Sequence, residues 1–329
     1  MSNDLDIFEL SDRAKRAQRA LATSTTAQRN GILLAISHAL VDHCEQILHA
    51  NAQDCQRAEE RGMAAGLVDR LRLDESRIRA ISSTVLDVIA LEDPVGTVIR
   101  GGRTDDGLRV TQLRVPMGVI GMIYEARPNV TVDASILCLK AGNAVILRGG
   151  SAAQNTNETL VAVIRAAIDS LGFSADLVQT VDPWGRDGAR AMMRARGGID
   201  VLIPRGGEGL IRAVVEESTV PVIETGTGNC HVYVDSGADV DAAVRIIINA
   251  KTQRVGVCNA AETLLVHCDM VHSFLPQALE ELTRAGVRIH ADAAVRECAA
   301  HVGGLDQSLI SEATEEDWRT EYLSMDLAV

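Results

Sequence analysis

Aromatic residues are scarce in this sequence, at 2% of 329 residues. A core with so few rings has to be built from Ala, Val, Ile and Leu, which suit helices packed on buried parallel strands. Hydrophobic residues make up 47% of the chain and charged residues 23%. This ordinary balance argues against extensive disorder and predicts a globular protein long enough for two domains.

An excess of positive charge is also absent, since the formal net charge is -13. Without a broad basic surface the chain is a poor nucleic-acid binder, and anionic ligands would need local Arg, Lys or backbone N–H sites. The N-terminal segment has neither a basic region nor a long apolar region, and no apolar run is long enough to span a bilayer. We therefore expect a cytoplasmic protein with no nucleic-acid or membrane partner.

Paired cysteine motifs are missing as well. The seven cysteines are odd in number and none forms a CxxC pair. A disulfide framework or a zinc site is therefore disfavoured, and we predict reduced thiols and no metal.

The chain divides by pattern near Thr227. Residues 5–90 are predicted to be helical, with Asp74 as the N-cap of a helix that runs to about Ala90. Strand-like, β-branched segments follow, and a hairpin arm is predicted at about residues 105–120, either for subunit contacts or as an ordinary edge hairpin. Helices and strands then alternate; the predicted strands are 143–148, 176–181, 199–204, 220–224, 231–235, 262–267 and 287–290.

Alternation with continuously apolar strands predicts parallel sheets covered on both faces, in the doubly wound α/β class. We predict a first domain over residues 1–225 and a second over residues 226–329. The chain ends in an apolar, strand-like run at 325–329, so we expect the second domain to be incomplete at its C-terminal side.

Cys258 is the first candidate for chemistry. It lies in a loop with Gly256, between a predicted helix and a predicted strand, where a thiol can face a cleft. A thiolate needs a positive neighbour or a helix N-terminus, and Lys251 and Arg254 are close in sequence. The alternative is a small buried hydrophobic residue, which is what most free cysteines are.

Asn129 follows Pro128 at the start of a predicted helix. It is either a simple N-cap or an amide that donates to an oxyanion. The run Arg148, Gly149, Gly150 and Ser151 ends a strand where parallel sheets bind nucleotides, although it is not the standard dinucleotide fingerprint. An ordinary turn would look the same.

Gly206 and Gly207 directly precede a helix whose N-terminal N–H groups can hold phosphate. Glu224, at a predicted strand end, is either a general base or an exposed loop carboxylate. His231 and His267 lie on predicted strands and are interpreted as structural.

These features occur in an order that resembles the aldehyde dehydrogenase superfamily, and within it the gamma-glutamyl phosphate reductase family. The matching runs are VPMGVIGMIYEARPNVTVDA, LKAGNAVILRGGS, DVLIPRGG, PVIETGTGNCHVYVD and NAKTQRVGVCNAAETLLV. The resemblance covers nearly all of the chain.

The resemblance implies an aldehyde dehydrogenase-like fold of two doubly wound α/β domains, the first binding NADP and the second catalytic. It assigns Cys258 as nucleophile and Asn129 as oxyanion donor. Arg148, Gly149, Gly150 and Ser151 would hold the adenosine ribose and its 2′-phosphate, and Gly206 and Gly207 the pyrophosphate. Two further assignments do not come from the resemblance: Arg127 is assigned to a substrate anion from its place beside Asn129, and Glu224 is also assigned to the substrate.

The reaction implied by the family is NADPH-dependent reduction of L-glutamyl 5-phosphate to L-glutamate 5-semialdehyde and phosphate, the second step of proline biosynthesis from glutamate. A homo-oligomer and functional coupling to glutamate 5-kinase are further expectations. Two departures stand out: Val255 and Gly256 replace a common Pro-Ser, and family members continue beyond position 329.

Two other functions stay open at this point. One is a hydrolytic NAD(P)-dependent aldehyde dehydrogenase, which would need Glu224 to activate water. The other is an inactive truncated homologue that acts only as a binding or assembly partner.

Overall fold

The computed structural model describes residues 6–63, 65–226 and 228–329, with backbone alone at residues 65 and 66. The chain forms two compact units, Met1–Thr225 and Gly226–Val329. Among the described residues, no helix combines the length and the hydrophobicity that a bilayer crossing requires.

The first unit opens with five helices. They are α1 (Ile7–Ala22), α2 (Thr26–Asp42), α3 (Cys44–Glu60), α4 (Ala65–Leu71) and α5 (Glu75–Ala90). Thr25 and Gln28 form a capping box at the start of α2, which satisfies backbone N–H groups that the helix leaves free. The Asp74 carboxylate accepts from the Arg77 N–H, so the predicted N-cap of α5 is confirmed.

The sheet of the first unit consists of four parallel strands, each largely buried. In chain order its elements are β3 (Val119–Tyr124), α6 (Pro128–Lys140), β4 (Ala144–Arg148), α7 (Gln154–Asp169), β5 (Val178–Thr180), α8 (Gly185–Arg194), β6 (Val201–Arg205) and α9 (Glu208–Glu217). The spatial order is β5-β4-β3-β6, so the sheet grows to one side of β3 and then to the other. The gap between the carboxyl ends of β3 and β6 is therefore a topological switch point, where such sheets bind ligands.

The strands β1 (Val98–Arg103) and β2 (Arg109–Leu113) pair with each other in a separate two-stranded antiparallel ribbon. Every residue of both strands is exposed. The predicted range of the hairpin arm, about 105–120, was wrong. The observed hairpin lies earlier in the chain, because β2 pairs with the preceding strand β1. The segment after β2 instead becomes β3, whose apolar side chains are buried between helices.

The strand predicted at 220–224 was also wrong. Only Val222 makes a bridge there, to Leu202, and the following residues through Gly226 are coil. Pro221 has no N–H to extend a ladder, although its carbonyl accepts from the Leu202 N–H.

The second unit contains a five-stranded parallel sheet in the order β10-β9-β11-β8-β7. Its elements are β7 (Cys230–Val234), α10 (Val240–Thr252), β8 (Ala261–Val266), α11 (Val271–Arg284), β9 (Arg288–Ala291), α12 (Ala293–His301), β10 (Ile310–Glu312) and β11 (Asp326–Ala328). The strand predicted at the end of the sequence exists and lies in the middle of the sheet, with Leu327 and Ala328 fully buried. No pattern had predicted β10, which comes from an acidic, weakly apolar segment.

The Leu327→Ala substitution tests how much the second unit depends on this central strand. Removing a fully buried Leu side chain leaves a cavity, and we expect a loss of about 2–5 kcal/mol in the free energy of unfolding. Chemical denaturation followed by circular dichroism measures it. Leu265→Ala, at an exposed position of β8, is the control and should change stability by less than about 1 kcal/mol. Equal losses in the two variants would contradict a central role for β11.

Candidate functional site

Cys258 lies in the loop between α10 and β8, and its side chain is exposed. The predicted place of the thiol, on a loop that directly precedes a strand, is therefore confirmed. The alternative of a small buried hydrophobic residue is wrong for this cysteine. Cys55 and Cys138, by contrast, are buried.

Both ends of the Cys258 loop are fastened by a buried ion pair. Lys251, on the last turn of α10, is fully buried, and its Nζ lies 2.8 Å from Glu262 Oε2. The same ammonium donates to the Ala261 carbonyl at 2.7 Å. Glu262 also accepts from the Leu323 N–H through its other oxygen, at 3.1 Å. These contacts join the last turn of α10 to the first two residues of β8.

This geometry corrects one sequence-based interpretation. Lys251 does not offer free positive charge to Cys258, because the Glu262 carboxylate balances it inside the core. Arg254 is exposed in the loop itself. The role of Lys251 is therefore to hold the loop in place.

The segment before β7 passes close to the backbone of Cys258. A Cβ on Gly228 would lie 2.8 Å from the Cys258 carbonyl oxygen, so only glycine fits there without a shift. Two residues further on, the Cys230 thiol donates to that same carbonyl oxygen at 3.2 Å. Asn229, between them, accepts from the Thr263 hydroxyl at 3.1 Å. Sequence reasoning missed this neighbour of Cys258, since residues 230 and 258 come together only when β7 pairs with β8.

In the first unit, three predicted motifs meet at the carboxyl edge of the sheet. A Cβ on Gly150 would lie 2.4 Å from the Ala126 backbone nitrogen, and a Cβ on Gly206 would lie 2.7 Å from the Glu125 side chain. Gly149 packs in the same way against Asn157. These glycines therefore allow close packing within the protein. Arg148, half-buried at the end of β4, donates through Nε to the Gly185 carbonyl at 3.2 Å, and Ser151 is exposed.

The N-terminus of α9 already holds a carboxylate. Glu125 Oε1 accepts from the Gly207 N–H at 2.7 Å, which places negative charge at the positive end of the helix dipole. The Glu125 oxygen stands in for the kind of anion that Gly206 and Gly207 were predicted to bind. The Gly207 N–H is therefore satisfied by a side chain of the protein, and the binding of a phosphate by Gly206 and Gly207 stays a prediction.

Asn129 is the second residue of α6, and the cap position belongs to Arg127. The reading of Asn129 as an N-cap was therefore wrong, because Pro128 takes the first helical position, which suits its fixed φ. The exposed Asn129 amide donates through Nδ2 to Asp133 Oδ2 at 3.2 Å. Burial raises the pKa of Asp133, and the Asn129 hydrogen bond offsets part of that rise. Asp133 thus orients an amide that sequence reasoning had considered alone.

Asp182 follows β5 at this same carboxyl edge. Its Oδ1 accepts from the Gly149 N–H at 2.6 Å. Burial raises the pKa of Asp182 to about 6, and the Gly149 hydrogen bond offsets part of the rise. Glu224, in contrast, is an exposed residue in coil after the Val222 bridge.

The chain is similar to known proteins. The model of the aldehyde dehydrogenase family matches residues 2–316. A gamma-glutamyl phosphate reductase from Bifidobacterium adolescentis is 52% identical over 98% of this chain and 77% of its own length. Another, from Bifidobacterium longum subsp. infantis, is 54% identical over 100% of this chain and 78% of its own length.

The chain belongs to the aldehyde dehydrogenase family. A crystal structure of the gamma-glutamyl phosphate reductase from Thermotoga maritima matches with a TM-score of 0.91 at 43% identity, covering 98% of this chain and 76% of the other. The predicted aldehyde dehydrogenase-like fold and the predicted resemblance to gamma-glutamyl phosphate reductases are both confirmed. As a member of this family the chain is an oxidoreductase that acts on the aldehyde group.

The Lys251→Met substitution tests whether the ion pair with Glu262 stabilises the Cys258 loop. The substitution leaves the Glu262 charge buried without its partner, and we expect a loss of about 3–5 kcal/mol in the free energy of unfolding. The double variant Lys251→Met with Glu262→Met removes the unpaired charge and should recover much of that loss. Arg284→Met, in an exposed pair with Glu280, is the control and should cost less than about 1 kcal/mol. If the double variant recovers none of the lost free energy of unfolding, this role of the ion pair is contradicted.

Asp182 predicts a pH dependence for the first unit. Its folded-state pKa of about 6 lies above the ordinary 3.8, so the folded state binds the proton more tightly. The associated stability is present at low pH and is lost as the pH rises through about 6. Relative to Asp182→Asn, the wild type should therefore lose on the order of 3 kcal/mol in unfolding free energy between about pH 4 and pH 7. Denaturation curves across that range measure it, and a pH-independent difference would refute the assignment.

Proposed function

We propose that this chain catalyses the NADPH-dependent reduction of L-glutamyl 5-phosphate to L-glutamate 5-semialdehyde and phosphate, through a thioester on Cys258. The observation that carries the proposal is an exposed thiol, on a loop fastened at both ends, in a chain more than half identical to gamma-glutamyl phosphate reductases. The reaction would be the second step of proline biosynthesis from glutamate.

The chemistry follows from the side chains. The Cys258 thiolate attacks the acyl carbon of the mixed anhydride, and the Asn129 amide and the Cys258 backbone N–H donate to the oxyanion that forms. Phosphate leaves and a thioester remains. NADPH, when bound, supplies the hydride that reduces the thioester. The resulting thiohemiacetal collapses, releasing the aldehyde and restoring the thiol. Arg127 is assigned to the substrate anion, and this direction of the reaction requires no base at Glu224.

The carboxyl edge of the first sheet suits a dinucleotide. The switch point between β3 and β6 is where doubly wound sheets bind such ligands, and the start of α9 accepts a carboxylate in this structure. Arg148, Gly149, Gly150 and Ser151 would hold the ribose and its 2′-phosphate, and Gly206 and Gly207 the pyrophosphate. A cationic Arg148 favours NADPH over NADH because it can pair with the extra phosphate.

The wider setting is also proposed. A cytoplasmic location fits reduced cysteines. The exposed ribbon of β1 and β2 carries apolar side chains, among them Val98, Ile99 and Val110, and is the surface we assign to a homo-oligomer. The substrate is a reactive acyl phosphate, so functional coupling to glutamate 5-kinase would shorten its time in water.

Turnover of glutamate 5-semialdehyde with NADP and phosphate tests the nucleophile. Cys258→Ala should lower the rate by about 10³-fold or more, because the thioester can no longer form. Cys268→Ala removes another exposed thiol of the second unit and should leave the rate nearly unchanged. Cofactor reduction by the wild type should also require phosphate.

Three results would contradict the proposal. Robust turnover without phosphate would favour a hydrolytic aldehyde dehydrogenase, and full activity in Cys258→Ala would remove the nucleophile. The place of Glu224, exposed in coil, offers no support for the hydrolytic alternative. A wild type without turnover that still binds NADPH would favour an inactive binding homologue.

A further inference from the structure

The Cys258 loop has a second thiol beside it. Cys230, the first residue of β7, is partly exposed, and its sulfur lies 3.2 Å from the Cys258 carbonyl oxygen. A carbonyl oxygen is about 2.4 Å from the Cα of its own residue, so the Cys230 sulfur lies within about 6 Å of the Cys258 Cα. Rotation of the two thiols and a shift of about 1–2 Å in an exposed turn can bring the sulfurs to bonding distance.

The two cysteines differ in how their backbones are held. Cys230 is held by the pairing of β7 with β8, where it lies opposite Ala261, and the register changes between Cys230 and His231. Cys258 lies in an exposed turn, with no regular secondary structure between Gln253 and Ala260. The anchored thiol is therefore Cys230, and the thiol that moves is Cys258.

No other described thiol of the second unit is as well placed. Cys268 comes after the far end of β8, a strand of six residues, which puts it about 20 Å from the Cys258 end. Cys298 lies on α12 and contacts the Val271 carbonyl, also beyond that far end.

We propose that Cys230 is a resolving cysteine that forms an intramolecular disulfide with Cys258 after oxidation by a peroxide. The Cys258 thiolate attacks the O–O bond of hydrogen peroxide, which gives a sulfenic acid and releases hydroxide. The Cys230 thiol then attacks that sulfur, its proton joins the departing hydroxyl, and water leaves as the S–S bond forms. Two electrons pass from the two thiols to one peroxide.

The disulfide protects Cys258 from further oxidation. Sulfinic and sulfonic acids form irreversibly, whereas a disulfide is returned to two thiols by a dithiol reductant. The functional consequence, a reversible loss of reductase activity, rests on the proposed role of Cys258. The disulfide itself rests only on the geometry of the two cysteines.

Peptide mapping of the full chain tests the pair directly. The reduced protein is treated with hydrogen peroxide, its remaining thiols are alkylated, and it is cut with trypsin and a glutamate-specific protease. Cleavage after Arg254 and Glu262 isolates Cys258 from Cys268, and cleavage after Glu224 and Arg245 isolates Cys230. We expect a linked pair of peptides, 225–245 with 255–262, that disappears on treatment with dithiothreitol.

Two matched variants complete the test. In Cys230→Ser, peroxide should convert Cys258 to sulfinic or sulfonic acid. Dithiothreitol should then restore roughly a tenth or less of the reductase activity that it restores in the wild type. Cys268→Ser should behave as the wild type. Oxidation of Cys258 without a link to Cys230, or equal recovery in Cys230→Ser, would overturn the proposal. If the linked peptides form but the Cys258→Ala variant keeps full turnover, the disulfide proposal stands and only the proposed function is contradicted.

Discussion

The buried ion pair between Lys251 and Glu262 is the interaction on which the presentation of Cys258 depends. Lys251 lies one residue before the end of α10, Glu262 is the second residue of β8, and the loop that carries the thiol connects the two elements. Because both charges are removed from water, each is tolerable only while the other is present. The loop can therefore be exposed and irregular, as the proposed nucleophile requires, while its two ends stay fixed by the core of the second unit.

In the function that we propose, the first unit has to bind an anionic cofactor without a large positive surface. The chain is acidic overall, at a formal charge of -13. The anion site that we propose is local, and consists of a helix end at Gly207 and the carboxyl ends of parallel strands. Glu125 accepts from the Gly207 N–H at this helix end, so a phosphate bound as we propose would have to displace a carboxylate that belongs to the protein.

The sequence predicted those parts of the fold that local pattern controls. Apolar runs between helices located β3, β4 and β6, and the Asp74 cap located α5. The failures share one cause, which is that pairing partners are not encoded locally. β2 pairs with the preceding strand, β1, and not with the following segment. The 220–224 segment forms a single β-bridge, between Val222 and Leu202. In the candidate site, Cys258 was found from its loop. Its neighbour Cys230, the pairing of Lys251 with Glu262, and the hydrogen bond between Asp133 and Asn129 required the folded chain.

The position of β11 has a consequence for how the second unit is made. β8 and β9 follow one another among the strands of the chain but are not neighbours in the sheet, and β11 alone joins them. On the ribosome, these two strands emerge well before the residues that must enter between them, and until then each presents an open edge. Closure requires contacts between distant parts of the chain, which are slow to form. During synthesis the first unit can therefore complete its sheet early, while the nascent second unit remains exposed to edge-to-edge aggregation until residues 326–328 arrive.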